Sequence, residues 1–146
     1  MNNTRTRSFM SFFLRVSVQD QILFARHLAI MTKAGMPLLN SLLLIQKQTR
    51  SRSFTTILKK VIVDVDNGQF LSTSLDQFRN VFGDLFINVI RVGEASGTLV
   101  ENLNYLALEL SKQQELRRKV KGALMYPMII LLATLGIVGV LIFLVF

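Results

Sequence analysis

The sequence contains no cysteine. Disulfide frameworks, thiol nucleophiles and thiolate metal sites are therefore excluded. It has a single histidine, His27, so a histidine-rich metal site is excluded as well. Acids are scarce, with 9 Asp and Glu against 17 Lys and Arg, a formal net charge of +8. A surplus of that size favours nucleic acid or an anionic membrane surface as a neighbour. The 146 residues suffice for one modest domain. Apolar residues make up 51% and the mean hydropathy is +0.44. That is too apolar for a disordered chain and high for a soluble one.

The surplus charge is unevenly placed. Lys121 is the last charged residue, and Gly122–Phe146 runs for 25 residues without another. A membrane-crossing helix needs roughly 20 apolar residues. At 1.5 Å per residue this run spans ~37 Å, enough to cross with tilt. Arg117, Arg118, Lys119 and Lys121 precede it directly. Cytoplasmic flanks carry the Lys and Arg excess, so residues 1–121 are expected in the cytoplasm. The same cations can meet anionic head groups. Tyr126 is a suitable interface anchor. Pro127 lacks the N–H that would bond the Ala123 carbonyl, and a bend is expected there. Ala133, Gly136 and Gly139 recur every three residues and would permit close helix packing in lipid. With no polar residue after the span, the chain reads as a fragment cut after its first span, or else as a tail-anchored protein.

The remainder reads as helices. Residues 1–17 form a basic, aromatic segment, with Arg5, Arg7 and Arg15 among Phe9, Phe12 and Phe13. An interfacial helix and a plain lead-in both fit it. Ser17 and Asp20 form a capping pattern for a first helix. Gly35 and Pro37 end that helix and begin the next, which runs to about Gln48. Residues 49–53 read as a turn. Val61, Ile62, Val63 and Val65 before Asn67-Gly68 resemble a strand with a hairpin turn. The apolar positions 54, 57, 58, 61, 62 and 65 fit helical spacing instead, and no partner strand follows. A helix stopping at Gly68 is the reading adopted. Residues 72–79 and 85–95 give two further helices. Thr98 and Glu101 form a capping-box pattern for the last one, and no breaker separates that helix from the membrane run. The expected fold is all-α, a six-helix cytoplasmic bundle over 18–121 whose last helix continues into a transmembrane helix over 122–146.

Several chemistries fail on inspection. Asp64, Asp66 and Gly68 suggest a calcium loop, but the glycine is one position early and the twelfth position is Leu75. The two acids then read as a solvated helix end. Gly93 and Gly97 are not followed by the Gly-Lys-Ser/Thr of a nucleotide-binding loop. His27 has no nucleophile near it to activate and reads as a packed or surface residue. Lys33, Lys47, Arg50, Arg52, Lys59 and Lys60 enrich the first half in charge, yet RNA-binding aromatic signatures and zinc fingers are absent. No enzyme constellation, no cofactor site and no nucleic-acid partner is expected.

The motifs do fall in a specific order. Phe24-Ala25-Arg26-His27-Leu28-Ala29 leads to Lys33-Ala34-Gly35-Met36-Pro37-Leu38, and Gly68 precedes Leu71-Ser72-Thr73-Ser74-Leu75. Gly93-Glu94-Ala95-Ser96-Gly97-Thr98-Leu99 follows, then the basic run and Tyr126-Pro127. From Val18 onward this resembles the F domain of type II secretion systems, shared with the inner-membrane platform protein of type IV pili. The resemblance implies a non-enzymatic, multi-pass inner-membrane protein with two copies of a cytoplasmic six-helix domain. It implies contact with a hexameric assembly ATPase, with pilin or pseudopilin subunits, with other inner-membrane assembly proteins and with further copies of itself. This sequence carries one domain copy, which favours truncation, and has His27 where the family often has Gln. Gly93, Glu94, Ser96 and Gly97 are candidates for a tight structural corner first and a docking surface second. A tail-anchored helical scaffold with no motor partner is the alternative function.

Overall fold

The computed structural model describes residues 16–146, so all but the last two residues of the basic, aromatic N-terminal segment lie outside the described residues. Six helices follow one another among the described residues. They are α1 (Val18–Lys33), α2 (Leu38–Gln48), α3 (Arg52–Asp66), α4 (Leu71–Asp76), α5 (Arg79–Ser96) and α6 (Leu99–Val145). The chain divides into two compact units, one ending at Ser111 and the other covering Lys112–Phe146.

In the first unit each helix packs on the next from α1 to α5. The expected capping box opens α1: Ser17 Oγ accepts from Asp20 N at 3.1 Å, and the Asp20 carboxylate accepts from Ser17. Pro37 is the N-cap of α2, one place before the first helical turn in which the sequence suggests it. Ser51 Oγ caps α3. The helical reading of α3 holds because Phe54, Ile57, Leu58 and Val61 share one buried face. The β-branched run reads as a strand only when its spacing is ignored.

The core is centred on four phenylalanines from three helices. Phe24 of α1 meets Phe54 of α3 edge to face at 5.5 Å and stacks with Phe86 of α5 at 6.1 Å, while Phe82 and Phe86 lie tilted 4.8 Å apart. Edge-to-face and tilted pairs at these distances suit the ring quadrupoles. Leu28, Leu42, Leu71, Ile90, Leu103 and Leu106 extend the core, which thus draws on all six helices. Burying each such side chain contributes about 1.5–3 kcal/mol before entropy is counted. Gln21, also buried, donates to Val81 O at 3.0 Å and ties α1 to α5.

α5 differs from expectation. It begins at Arg79 rather than 85 and is broken at Gly83, whose φ of 80° and ψ of 166° are non-helical. That region is essentially reserved for glycine. Arg79 spans the break, with Nε 2.8 Å from Asp76 and Nη1 2.5 Å from Asp84.

In the second unit every residue from Glu115 onward is exposed. α6 runs unbroken through Pro127 and is long and apolar enough to cross a membrane.

Candidate functional site

Three of the glycines singled out in the sequence perform one task. Thr98 N reaches Gly93 O at 2.9 Å around Gly97, Gln69 N reaches Asp64 O at 3.0 Å around Gly68, and Met36 N reaches Met31 O at 3.0 Å around Gly35. These are 6→1 bonds of the Schellman stop, which needs a left-handed residue at its hinge. The three glycines have φ between 72° and 83°. Each turn therefore ends one helix and releases the chain for the next.

Two carboxylates then hold the short α4 from either side. Glu94, on the last turn of α5, accepts from Leu71 N at 2.6 Å with Oε1 and from Ser72 N at 2.9 Å with Oε2. α4 has no side-chain cap of its own. Glu94 supplies one from 22 residues away in sequence, satisfying orphan N–H groups at a positive helix end. Asp64, near the end of α3, is buried and accepts from Ser74 Oγ at 2.7 Å, from Gln77 Nε2 at 2.8 Å and from Lys60 Nζ. Burial alone would raise its carboxyl, but the bonds from Lys60, Ser74 and Gln77 and the Lys60 charge outweigh it. The group is held below the usual carboxylate value. This corrects the expectation of a solvated helix end: Asp66 is exposed, whereas Asp64 faces inward.

The corner between α5 and α6 is equally tight. A Cβ on Gly93 would lie 2.9 Å from Leu99 Cα and 2.9 Å from Asn102 Nδ2. Asn102 Nδ2 donates to Val89 O at 3.2 Å, fixing the two helices side by side. Ser96 Oγ donates to Val92 O at 2.7 Å and lies 2.7 Å from Thr98 Oγ1. The expected Thr98–Glu101 capping box is therefore replaced. The backbone bond from Thr98 N already closes the turn, and the Thr98 hydroxyl points to Ser96.

The structure thus brings Gly68, Leu71, Ser72, Gly93, Glu94, Ser96 and Gly97 into one corner built from α3 to α6. No hydrogen bond among the described residues joins the Gly35–Pro37 turn to it. Sequence reasoning missed Asp64, Ser74, Gln77 and Asn102. Ser74 stood within the recognised Leu71–Leu75 motif, but its partner could not be read from local spacing. His27 is half-buried on the wall of a separate cleft of about 270 Å³, with Asp20, Arg50, Phe24 and Phe54 among its lining residues. Arg117, Arg118, Lys119, Lys121, Tyr126 and Pro127 all lie exposed on α6 in the second unit.

The model of the family described as type II secretion system (T2SS), protein F, matches residues 24–146. The type IV pilus assembly protein PilC of Thermus thermophilus is 39% identical over 120 residues, 82% of this chain and 29% of that protein. PilC of Myxococcus xanthus is 33% identical over 126 residues, 86% of this chain and 30% of that protein. The type II secretion system protein F of Vibrio cholerae is 35% identical over 136 residues, 92% of this chain and 34% of that protein. The chain spans about a third of the length of these curated relatives.

Proposed function

The chain belongs to the type II secretion system protein F family, and on that premise we propose that it serves as part of a non-enzymatic inner-membrane platform for assembling a type IV pilus or a secretion pseudopilus. In this reading residues 18–121 form a cytoplasmic helical domain and residues 122–146 a membrane span. The observation that carries it is the extent of the family match, which includes both the bundle and the apolar run. The cations at 117–121 support a cytoplasmic bundle. The platform couples a cytoplasmic assembly ATPase to extraction of pilin or pseudopilin subunits, and it associates with other inner-membrane assembly proteins and with copies of itself.

The carboxylate-held corner suits such a role physically. A platform must pass on mechanical displacement without unfolding. α4 is only six residues long, too short to persist alone. Glu94 and Asp64 anchor it to both neighbours through charge-assisted bonds, which are about twice as strong as neutral ones.

The test is co-purification of the assembly ATPase with the tagged chain from detergent-solubilised host membranes. Retention of the ATPase supports the platform. Its absence, with the bundle still protected from proteolysis, would favour a tail-anchored scaffold without a motor partner.

A further inference from the structure

The cleft beside His27 belongs to the first unit and has apolar walls, with Phe24, Ile45 and Phe54 all buried along it. Its volume of about 270 Å³ falls below the roughly 300–1,000 Å³ of small-molecule pockets. A single phenyl ring fits, since an apolar cavity of about 150 Å³ already holds benzene. The surroundings are basic. Arg50 lines the cleft, and Arg26, Lys47 and Arg52 each stand within two residues of a lining residue. These four cations are exposed and have no ion pair among the described residues. Asp20 is the one acid along the cleft, and Ser17 already binds it in the capping box.

Phe70 has the complementary character. At 66% exposure it is the most exposed large apolar side chain among the described residues of the first unit. It is the N-cap of α4, whose first N–H groups are held by Glu94, so the ring stands on a fixed base. From Val61 to Phe78 the chain carries Asp64, Asp66 and Asp76 and no Lys or Arg. Asp66 is exposed and has no ion pair among the described residues. Phe70 is out of reach of the cleft of its own chain. The bond from Gln69 N to Asp64 O keeps it at the far end of α3, and Phe54 to Asp64 covers ~15 Å along that helix.

We propose that Phe70 of one copy of this chain seats in the Phe24–Phe54 cleft of a second copy, with the acidic turn around Asp66 against the cations around Arg50. The proposal rests on the self-association in the platform reading and needs neither the ATPase nor the pilins. Charge selects the occupant: the turn bearing Phe70 is acidic, whereas the chain's own N-terminal segment, with Arg5, Arg7 and Arg15, meets like charge at the cleft. The ring is the desolvated anchor, and Asp66 and Arg50 lie on the rim, which stays wet. Ring and cleft are different surfaces, so the contact is heterologous, and successive copies close into a ring or extend as a filament.

Two differently tagged forms of the full chain, Gln69→Cys and Gln48→Cys, are mixed in detergent and treated with a short bismaleimide. Both positions are exposed, and Gln48 lines the cleft. Light scattering gives the oligomeric state. The contact predicts 69–48 cross-links between the two forms and no cross-link in either form alone. Adding Phe70→Ala to the Gln69→Cys form should raise the protein concentration needed for cross-linking roughly thirtyfold, the scale of a lost hot spot, with an unchanged circular dichroism spectrum. Arg50→Glu in the Gln48→Cys form should weaken the product at low salt, and Asp66→Arg in the other form should restore it. Absence of the 69–48 product in a chain that is oligomeric, or like-with-like cross-links in its place, overturns the Phe70 contact and leaves self-association through another face. An undiminished product with Phe70→Ala does the same. A monomeric chain overturns the contact and the self-association together.

Discussion

The unit ending at Ser111 and the unit from Lys112 to Phe146 solve opposite problems with one type of secondary structure. In the first, Phe24, Phe54, Phe86 and Leu103 are each no more than 2% exposed. In the second, Leu135 is 61% and Ile137 63% exposed. The first also takes polar groups inward and satisfies them, as Asp64 and Glu94 show. The second has none to satisfy beyond Lys121, apart from Tyr126 near its start and Thr134, whose hydroxyl donates to Ile130 O at 2.8 Å. A helix whose side chains are apolar all round is buried in something. No other described part of this chain covers these residues, and lipid would do so in the proposed membrane span. The same residue type therefore carries different energetic weight in the two units, and paired substitutions measure that difference.

The largest contrast is aromatic. Phe86→Ala should destabilise the bundle by about 3–5 kcal/mol, because it removes a ring and leaves a cavity among three other rings. Phe143→Ala, at 88% exposure, should leave the denaturant midpoint of the bundle unchanged. Loss of bundle stability in both would contradict the division into two solvents. Next is the Glu94 clamp. Glu94→Ala frees two backbone donors of α4 and should cost about 2–3 kcal/mol, with hydrogen exchange accelerating first at Leu71 and Ser72. Unchanged protection there would remove the clamp from the account.

The glycines give a smaller contrast of opposite sign. Gly83→Ala forces a side chain into a conformation that costs roughly 1–3 kcal/mol. Gly136, with nothing within 4 Å of a built Cβ, sits in regular helix, where Ala is favoured by about 1 kcal/mol. Thermal melts of the two variants should therefore shift in opposite directions or, for Gly136→Ala, not fall. The smallest effect is pH dependence through Asp64. Its carboxyl is lowered in the folded state, so the unfolded state binds the proton more tightly. The stabilisation is fully present above the unfolded value of about 3.9 and is lost as the pH falls through the folded value. Asp64→Asn should flatten that acid limb in a stability titration below about pH 4.

The helices themselves were legible from the sequence because their signals are local. Apolar spacing exposed the buried face of α3, and three glycines marked three Schellman stops. The uncharged run from Gly122 marked the long apolar part of α6 by length alone. What escaped notice depends on distant chain segments meeting. Asp64 looks like an ordinary acid at a helix end until Ser74 and Gln77 are folded onto it. Glu94 stood out by motif, yet its target on α4 lies more than 20 residues earlier. The break at Gly83 carries no proline or polar cluster to announce it. The Thr98 hydroxyl had two acceptable partners, and only the closed turn decides for Ser96.

The central claim is that the two units have different solvents, water for one and lipid for the other. The absence of cysteine in these 146 residues makes this directly measurable, since any introduced thiol is the only one within them. Asn67→Cys lies at the exposed end of α3, and Leu135→Cys lies on α6, at a position 61% exposed in the isolated chain. The decisive measurement is labelling of each variant, in opened native membranes, with a membrane-impermeant maleimide. The account predicts rapid labelling at position 67 and none at 135 until detergent or denaturant is added. Equal labelling at both positions would show that water reaches the apolar helix, and the membrane-anchored platform would be contradicted.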